Sequence, residues 1–153
     1  MEARTVIHRF HGLNEFHKKK FGEKIYKLSI KAGFTCPNRD GTKARGGCTF
    51  CNNDGHKPLS YLPRQDIKTQ IEKGLAYLTK RHRAQKFIAY FQDFSATYAP
   101  IDYLRELYFS VLEYKEFVGI NIGTLADCLQ EPVLDLLSEL HEKIYLLLDI
   151  GFQ

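Results

Sequence analysis

Apolar and polar residues alternate through KIYKLSI, residues 24–30, the pattern of a strand with one buried face. Ahead of it, HGLNEFHKKKFG reads as a short amphipathic helix closed by a turn. A helix is expected to start at Pro63, with Ile67, Ile71, Leu75 and Leu78 as one apolar stripe. KFIAYFQ reads as a second strand, followed by a helix over PIDYLRELYFSVLEY with Ile101, Leu104, Leu107 and Val111 inward. EFVGINIG is a third strand. EPVLDLLSELHEK is a helix with Val133, Leu134, Leu137 and Leu140 inward, and IYLLLDIG is a fourth strand. Strands and helices alternating at this spacing predict right-handed βαβ units and a parallel sheet. The strands are nearly continuous apolar runs, as a sheet covered by helices requires.

In such α/β architectures, chemistry sits on the loops that leave the carboxyl ends of the strands. Four such ends can be read: the segment after the first strand, QDFSATYAP, GTLADCLQEP and GFQ. The first loop is far longer than the usual βα connection of about 2 to 6 residues. It contains AGFTCPNRDGTKARGGCTFCNN, with three of the four cysteines spaced Cys36-x11-Cys48-x2-Cys51. Its prolines, asparagines, aspartates and glycines are turn-formers. A structural metal wants four ligands, so three thiols leave one coordination position open.

With 153 residues, 44% hydrophobic and 26% charged, the chain has the composition of one globular domain. The N-terminus lacks the apolar run of a secretory signal, and the longest apolar stretch, IYLLLDIGF, is too short to span a bilayer. These features point to a cytoplasmic protein with no membrane partner. Clustered thiols there bind metal or do chemistry rather than form disulfides. Net charge is +4, but residues 1–86 carry 19 Lys/Arg against 7 Asp/Glu, and residues 87–153 carry 3 against 11. Two oppositely charged surfaces of one domain account for this. A basic half that meets a polyanion such as RNA near the cysteine loop is the functional alternative.

Two metal chemistries fit the thiols. Zinc could take Cys36, Cys48 and Cys51 with His56 as fourth ligand, making a nucleic-acid-binding module. A [4Fe-4S] cluster held by three thiolates would leave one iron open to an outside ligand. Cys128 reads as a small buried residue. His8, His11 and His17 lack ligand spacing and read as surface groups, and the run Lys18 to Lys20 reads as a solvated face.

The cysteine loop resembles the cluster motif of radical S-adenosylmethionine (SAM) enzymes, with an expanded first gap similar to that of the Elongator radical SAM domain. It is more similar still to the YhcC-like family, whose members carry AGFTCPNRDG followed by GGCxFC. YFQDFSATYAP and GTLADCL match that family in the same order; the family's usual Arg-Pro in the latter is Leu125-Ala126 here. The resemblance implies a parallel-stranded (βα) partial barrel of radical SAM type. Residues 1–153 would form the N-terminal part of the core domain, with about the first four strands and the cluster-binding loop at 32–57. The chain is then expected to be a truncated form of a longer barrel, and an inactive remnant is an alternative outcome.

Implied roles are cluster ligation by Cys36, Cys48 and Cys51, and SAM contacts by Phe50, Gln92, Gly123, Thr124 and Gln153. The implied cofactors are the [4Fe-4S] cluster and SAM. The implied reaction is reductive cleavage of SAM to a 5'-deoxyadenosyl radical that acts on a substrate, with tRNA as a candidate. An electron donor such as flavodoxin or ferredoxin would supply the reductant.

Overall fold

A computed structural model describes residues 10–49, 51 and 66–151. Helix α1 (Leu13–Phe21) leads into strand β1 (Tyr26–Ser29) and, after the cysteine loop, helix α2 (Ile67–His82). Strand β2 (Phe87–Phe91), helix α3 (Ile101–Ser110), strand β3 (Phe117–Leu125), helix α4 (Glu131–His141) and strand β4 (Tyr145–Gly151) follow. The four strands are all parallel and lie in the order β1-β2-β3-β4. A sheet wound in sequence order is consistent with a partial (βα) fold; a doubly wound sheet would reverse direction.

Alternation along the strands divides the sheet into two faces. Leu28, Phe87, Ala89, Phe91, Ile120 and Ile122 point into the main core, where Ile71, Leu104, Leu107 and Leu140 of the three crossover helices meet them. The opposite face carries Lys27, Ile88, Tyr90, Gly119, Asn121 and Asp149, and α1 reaches across to it through Tyr145.

Three expectations shift. The described part of α2 begins at Ile67, because Asp66 is extended and caps it: its Oδ1 accepts from the Thr69 N–H at 2.9 Å and its Oδ2 from the Thr69 hydroxyl at 2.7 Å. Pro63 lies outside the described residues. In α4, Leu134 is exposed and Leu136 is buried instead. Val133, Leu136, Leu137 and Leu140 form the i, i+3, i+4, i+7 stripe, and Leu134 lies about 100° round from Val133. The α3 segment tightens into a 3-10 turn at Val111–Glu113. In α3 itself the sequence reading missed Tyr108, which is fully buried and donates its hydroxyl to the Ala96 carbonyl.

Candidate functional site

The first loop is tied down before it reaches Cys36. The backbone N–H of Ile30 donates to the Tyr90 carbonyl at 2.9 Å, extending the β1 pairing by one bond. Gln70 of α2 then clamps Lys31, accepting from its N–H and donating to its carbonyl, both at 2.9 Å. The Tyr103 hydroxyl donates to the Ala32 carbonyl at 2.6 Å, and the Ser95 N–H to the Thr35 carbonyl at 3.2 Å. These anchors come from α2, α3 and the loop after β2, so the thiols are placed by three elements that are remote in sequence.

Beyond Cys36 the chain doubles back. The Cys36 carbonyl accepts from the N–H groups of Arg39 and Asp40, and that of Pro37 from Lys43 and Ala44. Asp40 pairs with Arg45 as an isolated bridge. The Asp40 carboxyl is held below its ordinary range by the Thr42 N–H that it accepts at 3.0 Å. Gly47 sits at φ 90°, where an L side chain is strained, and its N–H donates to the Asn38 carbonyl. This return brings Cys48 Sγ to 3.6 Å from Asn38 Nδ2, and the Cys51 N–H donates to the Cys48 carbonyl.

The hairpin so formed docks on its neighbours. Thr42 and Tyr98 share a hydroxyl hydrogen bond of 2.9 Å, Lys43 pairs with Asp127, and the Arg39 guanidinium lies 5.0 Å from the centre of the Phe94 ring. A cleft of about 480 Å³ opens beside it, lined by Pro37, Lys43, Tyr98, Asp127, Cys128 and Gln130 among others. That volume suits a small organic molecule.

Cys36 and Cys48 are half-buried, Cys51 is exposed, Cys128 is buried, and none forms a disulfide. Burial raises the Cys36 thiol above its ordinary pKa; the Asn38 N–H opposes this, while the charges of Cys128, Cys48 and Cys51 add to it. Yet no set of three or more His, Cys, Asp or Glu side chains among the described residues is gathered closely enough to hold a metal ion. The donor chemistry of three thiols on one loop fits a soft metal or an iron–sulfur cluster, without a preassembled ligand geometry.

Gln92 is half-buried immediately beyond β2, and Gly123 lies against it: a Cβ on Gly123 would stand 3.5 Å from Gln92 Cα and 3.4 Å from the Phe91 carbonyl oxygen. Thr124 is buried, and its hydroxyl is engaged internally with Ser95 at 2.8 Å and Thr97 at 2.5 Å. Thr97 in turn donates to the Cys128 carbonyl. Phe50, Gln153 and His56 lie outside the described residues, as does most of 50–57 in the loop read as 32–57.

Sequence reasoning missed two polar groupings. One is the buried hydroxyl cluster Ser95–Thr97–Thr124, which welds the loops after β2 and β3 together. The other is a polar layer across the sheet face opposite the main core. There Lys27 lies 3.8 Å from Asp149 and 4.2 Å from the centre of the Tyr90 ring. Burial, and then the Asp149 charge, push the Tyr90 hydroxyl up to about 12. Asn121 is fully buried, donates to the Leu147 carbonyl at 3.2 Å, and has no partner for Oδ1 among the described residues. The available signal was a polar residue inside an apolar strand, as Asn121 is in EFVGINIG.

The chain is 43% identical over 145 residues to the uncharacterized protein YtqA of Bacillus subtilis, a match covering 95% of this chain and 45% of that protein. It is 38% identical over 137 residues to the protein YhcC of Escherichia coli, covering 88% of this chain and 43% of YhcC. The chain is similar to the YhcC-like proteins. An uncharacterized protein of Methanocaldococcus jannaschii is 39% identical over 140 residues, covering 89% of this chain and 42% of its own length. The chain therefore spans less than half the length of these YhcC-like relatives. No protein-family model matches it, and no solved structure does. No helix among the described residues is long and apolar enough to cross a membrane.

Proposed function

We propose that Cys36, Cys48 and Cys51 hold a [4Fe-4S] cluster with one iron open to SAM, and that the protein is a radical SAM enzyme for which RNA is the candidate substrate. The observation that carries the reading is the convergence of a three-thiol loop with the loops after β2 and β3 at the carboxyl edge of a parallel sheet. When bound, the cluster supplies one electron, drawn from a donor such as flavodoxin or ferredoxin, to break a C–S bond of the SAM sulfonium.

The chain's own residues position and shield. The Gln70 clamp and the Tyr103 hydroxyl hold the loop base, and Asn38 directs an N–H at Cys48. Gln92 and Gly123 offer adjacent strand ends to the cofactor. Thr124, whose hydroxyl is engaged inside, acts by fixing the loop. Phe50 beside the adenine and Gln153 near the ribose complete the proposed contact set.

Anaerobic reconstitution followed by EPR of the dithionite-reduced protein, with and without SAM, tests this. A [4Fe-4S]+ signal that shifts on adding SAM is expected. A colourless protein with stoichiometric zinc, or a signal indifferent to SAM, overturns it.

A further inference from the structure

The sheet order converts the sequence's charge imbalance into a spatial one. Because the strands lie in chain order, β1 and α2 of the basic first half lie on one side of the sheet and α4 and β4 of the acidic second half on the other, while α1 crosses to Tyr145 of β4. One group of the cations lies away from the cysteine loop, where Arg39, Lys43 and Arg45 remain. Helices α1 and α2 both end at the amino-terminal rim of the sheet, the rim opposite the cysteine loop and on the order of 20 Å from it. Their last turns carry Lys18, Lys19 and Lys20 on α1, and Lys80 and Arg81 on α2, all exposed.

Several contacts make these two helix ends one surface. Strands β1 and β2 pair from Tyr26↔Phe87 onward, so the segments entering them are neighbours. Lys86, at the entry to β2, donates to the Phe21 carbonyl at the end of α1. His82, at the end of α2, stacks on Tyr26 with ring centres 4.7 Å apart and planes 18° apart, and Lys24 lies 4.7 Å from the centre of the same Tyr26 ring. Across residues 18–26 and 77–87 Glu23 is the sole carboxylate, and it pairs with Lys86 at 3.3 Å.

Cations in a last turn complement the helix dipole, and each contributes a few tenths of a kcal/mol that way. That account leaves three features over. Lys24 lies beyond α1. Tyr77 is exposed, with Arg81 donating to its hydroxyl at 2.7 Å. Arg83 caps α2 with φ 53°, a left-handed position that favours glycine. An arginine held where glycine would be less strained points to a use for its guanidinium.

We propose that this rim, from Lys18 to Lys20 across Lys24 to Lys80, Arg81 and Arg83, is a docking surface for single-stranded RNA. The cations track the phosphodiester backbone, and Tyr77 and His82 offer rings to unpaired bases, the form in which RNA displays its sequence. At the far side of the same rim Glu113, Glu116 and Glu142 are interleaved with Lys115 and Lys143, so the excess of positive charge lies toward the ends of α1 and α2. The surface stands apart from the thiols, so it does not depend on the cofactor reading.

The test is fluorescence anisotropy of a labelled oligoribonucleotide of about 20 nucleotides with the full chain lacking any cluster, so failure here is separable from failure of the cofactor reading. Salt is varied between about 50 and 200 mM. The combined variant Lys80→Gln, Arg81→Gln, Arg83→Gly is expected to bind about tenfold or more weakly, and to flatten the salt slope by about 0.7 per lost phosphate contact. Arg83→Gly alone is expected to weaken binding while raising the melting temperature, a split that a purely structural arginine would not produce. The far-side variant Lys115→Gln, Lys143→Gln is expected to bind as the parent does. Undetectable RNA binding, loss only in the far-side variant, or equal competition by polyglutamate at matched charge overturns the proposal.

Discussion

His17 is 2% exposed, yet its Nε2 has no hydrogen-bond partner among the described residues. Its neighbours are the rings of Phe16, Phe21 and Tyr145. Burial, aided by the Lys27 charge, lowers its pKa from the ordinary value of 6.5. The unfolded chain therefore binds a proton that the folded chain refuses. Stability from this source is fully present above about pH 6.5 and is lost as pH falls from there toward the folded value. His17→Phe keeps the ring packing and removes the unpaired nitrogen. It is expected to be neutral or stabilising by about 1 kcal/mol at neutral pH, with a larger gain at about pH 5.5. Urea unfolding midpoints of both proteins at the two pH values check this. The sequence reading placed His17 on the surface, and the structure buries it. Its burial arises from Tyr145, 128 residues away, which no local pattern encodes.

Two elements depend on close contacts that local sequence does not display. At Gly119, near the start of β3, an added Cβ would stand 2.9 Å from the Tyr145 carbonyl oxygen and 2.9 Å from its ring. The backbone of β4 would have to move, since a carbonyl in a ladder cannot rotate away. Gly119→Ala is expected to cost about 1 to 3 kcal/mol, read from denaturant unfolding. Gln70 is the second case: it sits on α2 but serves the cysteine loop. Gln70→Ala leaves the Lys31 N–H and carbonyl without their clamp and is expected to cost about 1 to 2 kcal/mol. It should also speed thiol labelling of half-buried Cys36, which a thiol-reactive reagent measures. The strands and helices themselves were legible from period, because burial on one face leaves a repeat of two or 3.6 residues. Leu134 misled because four leucines and a valine crowd α4, and only the facing core chooses among them.

At the scale of the molecule, four βα loops should converge on one rim, and the structure brings the first three together through Thr42–Tyr98, Lys43–Asp127 and the Ser95–Thr97–Thr124 hydroxyls. Cys128 belongs to this junction through its carbonyl, which Thr97 bonds. Cys128→Ala is therefore expected to retain any reconstituted cluster, whereas alanine at Cys36, Cys48 or Cys51 is expected to abolish it; iron content and visible absorbance distinguish the two. Sequence by itself determined the alternating α/β order, the parallel sheet, the three-thiol loop and the similarity to YhcC-like proteins, because periodicity and motif spacing are local properties. Tertiary structure decided the rest. It set which face each strand shows to the helices, how Asn121 and His17 came to be buried, and how the cations ending α1 and α2 came to share the rim away from the thiols. Those outcomes depend on strand register and on the direction in which each helix runs back across the sheet, and both are settled by packing between residues far apart in the chain.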